Sequence, residues 1–254
     1  MKTYKILLSF FLILISGMGF SQSVPSYVPT NGLVGWWGFN GNAQDGSGNG
    51  NHGTVNGATL SADRNANSNS AYSFDGISNF IETVTSGPGG TGITLSFWYK
   101  TNRYLTIGNY VSSIFSYGST SWGSLFEADF NHWSAQTLGP CFGPSFTAQG
   151  TLISRGGPVI PDTTIWHHVV IVLPVGASSL YNVLFFLNGL EQLGVCSYAN
   201  YGAPPINIGT ALPIRIGKGH INNGVPFNGK LDDIGIWNRA LTQHEITSLY
   251  NRGT

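Results

Sequence analysis

A short loop near the start of the chain has the spacing of a calcium-binding turn. Asp45, Ser47 and Asn49 stand at positions 1, 3 and 5 of this loop, and Gly50 stands at position 6. Such spacing aims alternate side-chain oxygens at one ion while the glycine allows a sharp turn. Position 12 is Asn56 rather than a bidentate glutamate, so the loop is not an EF-hand and needs a second carboxylate from elsewhere. The alternative is a turn held by the hydrogen bonds of its own side chains.

A second polar group alternates with apolar residues over positions 125–133. Residues of one parity carry polar groups and end in an aromatic: Glu127, Asp129, Asn131 and Trp133. In a strand they face one way, and the opposite parity faces the other: Phe126, Ala128 and Phe130. Carboxylates and amides can bond to sugar hydroxyls, and a Trp ring can stack on a sugar. The pattern predicts either a carbohydrate-binding surface or an ordinary solvated sheet face.

Other catalytic groups give weaker signals. His167 and His168 are consecutive, so in a strand their rings point to opposite faces and cannot share a zinc ion. We expect one ring in the core and the other in solvent. The sequence has no Gly-x-Ser-x-Gly elbow for nucleophilic catalysis.

The composition is typical of a secreted β protein. The 254-residue chain has 11 Lys+Arg, 11 Asp+Glu and only 9% charged residues, far below the usual share. Without a basic cluster, it is not expected to bind nucleic acid or an anionic membrane. No stretch after the leader is long and apolar enough to predict a membrane span.

Residues 1–21 are typical of a signal peptide. Lys2 and Lys5 precede an apolar stretch at 6–15, and small residues precede a cut before Gln22. Cleavage leaves nine basic residues against eleven acidic ones, a formal charge of −2. We therefore expect a secreted chain with a short N-terminal segment at 22–31 and one domain at 32–254.

The elements that must position these groups are short strands. Ten candidates alternate with period two and end at Gly, Asn or Pro: Leu33–Phe39, Ala71–Phe74, Phe80–Val84, Ile93–Thr101, Ser112–Tyr117, Leu125–His132, Trp166–Leu173, Val183–Asn188, Leu212–Ile216 and Leu231–Trp237. This organisation predicts an all-β antiparallel sandwich or barrel. One helix is expected at the end, because Thr242 and Glu245 form a capping box ahead of the apolar face of Ile246 and Leu249.

Several motifs together resemble one family. They are GLVGWWGFNGNA at 32–43, DGSGNGNHG at 45–53, YSFDG at 72–76, ITLSFW at 93–98, WHHVV at 166–170, LNG at 187–189 and LDDIGIWNRAL at 231–241. Over residues 32–250 they resemble the laminin-G-like, concanavalin A-like jelly-roll domains of bacterial secreted proteins. The resemblance implies a two-sheet jelly roll, with the first and last strands close together. Asp232 and Asp233 then become the expected carboxylate donors for a structural calcium ion at Asp45, Ser47 and Asn49.

The resemblance leaves three functions open, because this fold carries binding modules and enzymes alike. The row from Glu127 resembles the Glu-x-Asp-x-Glu active strand of laminarinase-type hydrolases, but Asn131 replaces the last carboxylate. An amide cannot donate the proton that glycoside hydrolysis needs. We therefore expect a non-catalytic module that binds a glycan or another cell-surface ligand. A glycoside hydrolase or lyase, and an adhesion domain with a protein ligand, are the alternatives.

The expected secretion allows the two cysteines to form a disulfide, because disulfides persist in oxidising compartments. Cys141 and Cys196 are the only pair, so they form either one disulfide or two separate buried thiols. A bridge would contribute about 3–4 kcal/mol by closing a long loop in the unfolded chain. If it forms, thiol titration of denatured, non-reduced mature protein finds none, and reduction lowers the melting temperature. Two titratable thiols in protein from an oxidising compartment would contradict the bridge.

Overall fold

The computed structural model describes residues 23–102, 110–121, 124–132, 164–178, 182–192, 206–220 and 224–252, with the pairs 145–146, 151–152, 154–155 and 195–196. Their elements run in the order β1 Leu33–Trp37, β2 Gly53–Asn56, β3 Thr59–Ser61, β4 Ala71–Asp75, β5 Phe80–Thr83, β6 Ile93–Thr101, β7 Tyr110–Gly118, β8 Leu125–His132, β9 Ser145–Phe146, β10 Thr151–Leu152, β11 Ser154–Arg155, β12 His167–Leu173, β13 Leu184–Leu187, β14 Leu190–Glu191, β15 Val195–Cys196, β16 Leu212–Ile216, β17 Gly224–Pro226, β18 Asn228–Trp237 and α1 Gln243–Arg252.

Two sheets form the jelly-roll sandwich that the family resemblance implies. The larger has eight strands in the order β14-β13-β12-β6-β18-β4-β3, with β1 also paired to β18. The smaller has six strands in the order β17-β7-β16-β5-β2, with β8 paired to β7. Among the described strands, the expected antiparallel pairing has one exception, because β17 pairs β7 in parallel. Apolar side chains from both sheets form one core, which includes Trp37, Phe97, Phe115, Tyr117, Ile216 and Ile234.

The outer face of the larger sheet, turned away from the smaller one, is covered by other parts of the chain. Val28 of the N-terminal segment and Ile246 and Leu249 of α1 pack there against Trp36 and Trp237. The predicted capping box starts the helix. The Glu245 amide donates to the Thr242 hydroxyl at 3.3 Å, and the Thr242 amide donates to the Glu245 carboxylate at 2.8 Å. Among the described helical residues, none forms a helix long and apolar enough to cross a membrane.

The two consecutive histidines lie on opposite faces of β12, as predicted, but one expectation is wrong. His167 packs against Tyr99, at 5.5 Å between ring centroids. His168 does not face solvent, because it lies beneath α1 with its ring 6.1 Å from that of Tyr250. Burial lowers the pKa of His168 to about 3. The sequence pattern gave the alternation but not the helix that covers this face.

A buried ion cluster fixes the closing strand β18. Arg64 binds Asp232 and Asp233 at 2.7 Å each, and its guanidinium carbon lies 4.6 Å from the centre of the Trp98 ring. The backbone of Asp233 has a φ of 45°, at the irregularity where β18 changes register against β6. Burial raises the pKa of Asp232, and the neighbouring Asp233 carboxylate raises it further. Arg64 therefore pairs with two buried carboxylates inside the fold.

Replacing Arg64 tests this cluster. Arg64→Met leaves two carboxylates buried without their cation, so we expect a loss of about 3–5 kcal/mol in the free energy of unfolding. Arg239→Met is the matched control, because its ion pair with Glu245 is about a quarter exposed (25% and 24%). It should cost about 1 kcal/mol or less. Urea unfolding at neutral pH measures both, and equal losses would contradict the stabilising role of the cluster.

Candidate functional site

Five polar residues lie side by side across the outer face of the six-stranded sheet. Strand register aligns them in one line, here called the polar row: Thr54, Glu82, Arg215, Ser116 and Glu127. Aligned residues on neighbouring strands share a face. On each of the three inner strands, a residue adjacent to the polar one points into the core. These residues are Ile81, Ile216 and Phe115. The register therefore separates a line of polar residues, of which Ser116 and Glu127 are buried, from the apolar core.

One end of the polar row, on β7 and β8, is tightly enclosed. Glu127 is only 3% exposed, although it lies on the face opposite the core residues Phe126 and Ala128. The Ser113 hydroxyl donates a short hydrogen bond to the Glu127 carboxylate. Gly219 lies against both groups, and a β-carbon there would collide with the carboxylate. Glycine is thus required where the chain crosses this carboxyl group.

Ser116 places a buried hydroxyl next to Glu127 in the row. Among the described residues, its Oγ has no hydrogen-bond partner. A buried hydroxyl without a partner costs free energy. A ligand hydroxyl that reached this position would recover that cost.

Toward the other end, where Thr54 of β2 ends the row, the residues on β5 and β16 are charged and partly exposed; this part is called the charged end. The Arg215 Nε donates to the Glu82 carboxylate at 2.6 Å. Arg215 and Lys218 both lie over the Phe80 ring, each 5.2 Å from its centre. His220 hydrogen-bonds the Pro213 carbonyl at 2.7 Å, and its pKa is lowered by burial and by the charge of Arg215.

No motif in the sequence predicted this charged end. One signal was available, because Phe80 and Glu82 share a parity within a predicted strand and Arg215 is the only charged residue of another. Nothing in the sequence states that β5 and β16 are neighbours. Their pairing comes from the fold, which joins residues 133 positions apart in an ion pair.

The predicted row along β8 is only partly described. Asp129 and Asn131 lie in β8, opposite Ser113 and Val111 of β7, and their side chains lie outside the described part of the structure. Trp133 lies outside the described residues. Sugar binding by these residues therefore stays a prediction. The same holds for the disulfide, because Cys141 is outside the described residues and Cys196 is described only as part of β15.

The Asp45 loop is held by hydrogen bonds from the protein. One Asp45 carboxylate oxygen accepts from the Trp36 amide at 2.9 Å and the Ser47 amide at 2.8 Å. The other accepts from the Ser47 hydroxyl at 2.8 Å and the Asn51 amide at 2.9 Å. The Asn49 side chain donates to the Val34 carbonyl at 3.0 Å. These contacts are those of the side-chain-held turn, and a calcium ion would have to displace N–H donors from Asp45.

Asp232 and Asp233 do not supplement this loop in the arrangement described. Their carboxylates bind Arg64, whereas Asp45 binds the backbone beside β1. In the described part of the chain, no group of three or more His, Cys, Asp or Glu side chains is placed to hold a metal ion. The residues present do not fit a calcium shell shared between the loop and β18. Calcium binding stays a prediction.

Comparison with known proteins identifies the fold family. The model of a family described as the concanavalin A-like lectin/glucanases superfamily matches residues 74–247. Domain 4 of AbnA, an extracellular arabinanase from Geobacillus stearothermophilus solved with arabinotriose, has a TM-score of 0.58 and 19% identity. The match covers 86% of this chain and 98% of that domain.

Two larger proteins contain a similar fold. The binding domain of Paraclostridial Mosquitocidal Protein 1 gives a TM-score of 0.54 at 17% identity, over 88% of this chain and 53% of that one. Trypanosoma rangeli sialidase with 2,3-difluorosialic acid gives 0.52 at 14% identity, over 88% of this chain and 33% of that one. This chain thus spans about half and a third of their lengths. At these identities the likeness shows the fold alone. No curated protein matches the sequence.

Calcium binding can be tested separately from the hydrogen bonds of Asp45. If calcium binds only the folded state, millimolar calcium raises the melting temperature, with affinity on the order of 10⁻⁴ M. Asp45→Ala should abolish that rise and also lower the melting temperature in chelator. Asp75→Ala is the control, since Asp75 accepts from the amides of Ile77 and Asn79 in a comparable turn. It should lower stability but keep the rise. Identical wild-type melting curves in chelator and calcium would contradict the site.

Proposed function

This chain belongs to the concanavalin A-like lectin/glucanases superfamily, and we propose that it is a secreted, non-catalytic module that binds carbohydrate on the outer face of the six-stranded sheet. The polar row is the observation that carries this proposal. It aligns hydroxyl, carboxylate and guanidinium groups on one surface. These groups are the acceptors and donors that sugar hydroxyls need.

The size of the row suits an extended ligand. Five strands separated by about 4.8 Å give a line of roughly 19 Å from Thr54 to Glu127. The ends differ, because Glu127 is buried while Glu82 and Arg215 are partly exposed, at 31% and 25% of their side chains. A ligand laid across the strands would meet a recessed acceptor at one end and an open charged pair at the other.

The other broad face of the sandwich is a poorer candidate. The N-terminal segment and α1 already cover the outer face of the larger sheet with apolar side chains such as Val28 and Ile246. Two polar groups there, Ser96 and His168, already bind each other at 2.8 Å. A ligand on the part of that face beneath α1 would have to displace this helix. The smaller sheet therefore supports the proposal better.

The spacing of carboxyl groups in the polar row favours binding over hydrolysis. Glycosidases place their two carboxyl groups about 5–5.5 Å or 6.5–9.5 Å apart. Glu82 and Glu127 stand three strand spacings apart, which is about 14 Å between backbones. The row thus offers sugar acceptors without a catalytic pair of its own.

Binding and reducing-end release by the mature chain, residues 22–254, test the proposal. A glycan array selects an oligosaccharide, and calorimetry then compares variants. Glu127→Gln should weaken binding about tenfold, because the charged acceptor is lost. Trp133→Ala should cost about 1–3 kcal/mol if the predicted β8 row extends the site. Glu191→Gln, an exposed glutamate on β14 of the other sheet, is the control and should change nothing.

Three results would contradict the proposal. Absence of binding to every glycan on the array would favour a protein ligand. Product release that disappears in Glu127→Gln would make the chain a hydrolase or lyase. Unchanged affinity in both Glu127→Gln and Trp133→Ala would move the ligand away from this sheet.

A further inference from the structure

The charged end of the polar row brings two cations to one aromatic ring. Arg215 and Lys218 each lie 5.2 Å from the centre of the Phe80 ring. Their charged groups are therefore no more than twice that distance apart. The chain has only 11 Lys and Arg residues in 254, so two cations beside one ring are not expected from composition alone. Like charges within this range repel each other, and a bound anion would offset the repulsion.

The described carboxylates balance one of the two cations. Glu82 binds the Arg215 Nε at 2.6 Å. Among the described residues, no ion pair involves Lys218. The local charge of Glu82, Arg215 and Lys218 is therefore +1. This excess lies at the exposed end of the row, whereas the carboxylate of Glu127 lies at the enclosed end.

The geometry of Arg215 suits a second anion. A guanidinium has five N–H donors, and the contacts described use two of its nitrogens, one to Glu82 and Nη1 to the Gly219 carbonyl at 3.4 Å. The Phe80 ring also excludes water from one side of both cations. Charge-assisted hydrogen bonds are stronger where solvent is reduced.

We propose that the carbohydrate ligand carries an acidic group, a uronate carboxylate or a sulfate ester, that binds Lys218 beside the Glu82–Arg215 pair. This inference rests on the proposed function and specifies its ligand class. The acidic group would balance the excess positive charge beside Phe80, while neighbouring sugar hydroxyls bond to Ser116 and Glu127. A neutral sugar would leave that charge unbalanced.

A matched pair of ligands tests the acidic group. An oligosaccharide of galacturonic acid is compared by calorimetry with its carboxyl-reduced form, which has the same linkages without the charge. A sulfated oligosaccharide forms a third arm and separates sulfate from carboxylate recognition. Wild-type protein should bind one of the acidic ligands at least tenfold more tightly than the neutral one, and added salt should reduce this difference.

Variants locate the effect. Lys218→Met should remove the preference for the acidic ligand without changing affinity for the neutral one, and Lys218→Arg should retain it. Lys230→Met, on β18 of the larger sheet, is the matched control and should behave as wild type. Since Lys218 is a half-exposed side chain, its variants should melt at the wild-type temperature.

The outcomes separate this inference from the proposed function. Equal affinity for acidic and neutral ligands, or a preference that survives in Lys218→Met, overturns the acidic-group inference while carbohydrate binding stands. Binding that fails for all three ligands, after the array has also found none, overturns both. A preference that Lys218→Met removes and Lys218→Arg keeps supports the inference.

Discussion

Strand register in the six-stranded sheet is the constraint on which the candidate site depends. Side chains alternate between faces, so slipping one strand by a single residue would exchange its polar and core residues. In β16 such a slip would bring Arg215 into the core and Ile216 to the surface. Ile81, Ile216 and Phe115 are fully buried, and this burial holds Glu82, Arg215 and Ser116 on the outer face.

The outer faces of the two sheets differ in what lies on them. In the larger sheet, α1 and the N-terminal segment of the same chain pack on the outer face. Arg64 adds a buried link from the loop after β3 to β18 through Asp232 and Asp233. Asp45 adds another by binding the Trp36 amide of β1. These contacts tie the larger sheet to the rest of the chain, whereas the outer face of the smaller sheet carries the polar row.

Local patterns predicted ten of the eighteen described strands, but they did not predict which strands would be neighbours. Alternation located β6, β8 and β16 at the predicted bounds, and the Thr242 capping box located α1. The alternation also predicted that Glu127 and Phe126 lie on opposite faces of β8. The pairing of β5 with β16, and hence of Glu82 with Arg215, joins segments far apart in sequence. The prediction of a solvent-facing histidine was wrong for the same reason. The helix α1, which covers His168, is far from β12 in the sequence.

A crystal structure of the mature chain with its selected oligosaccharide would show directly where the ligand binds. We expect sugar density along the polar row, with hydroxyls within hydrogen-bond distance of Ser116 or Glu127 and an acidic substituent beside Lys218. The eight-stranded sheet and α1 should keep their positions. Ligand density confined to the opposite sheet, or to loops away from the Glu82–Arg215 pair, would contradict this expectation.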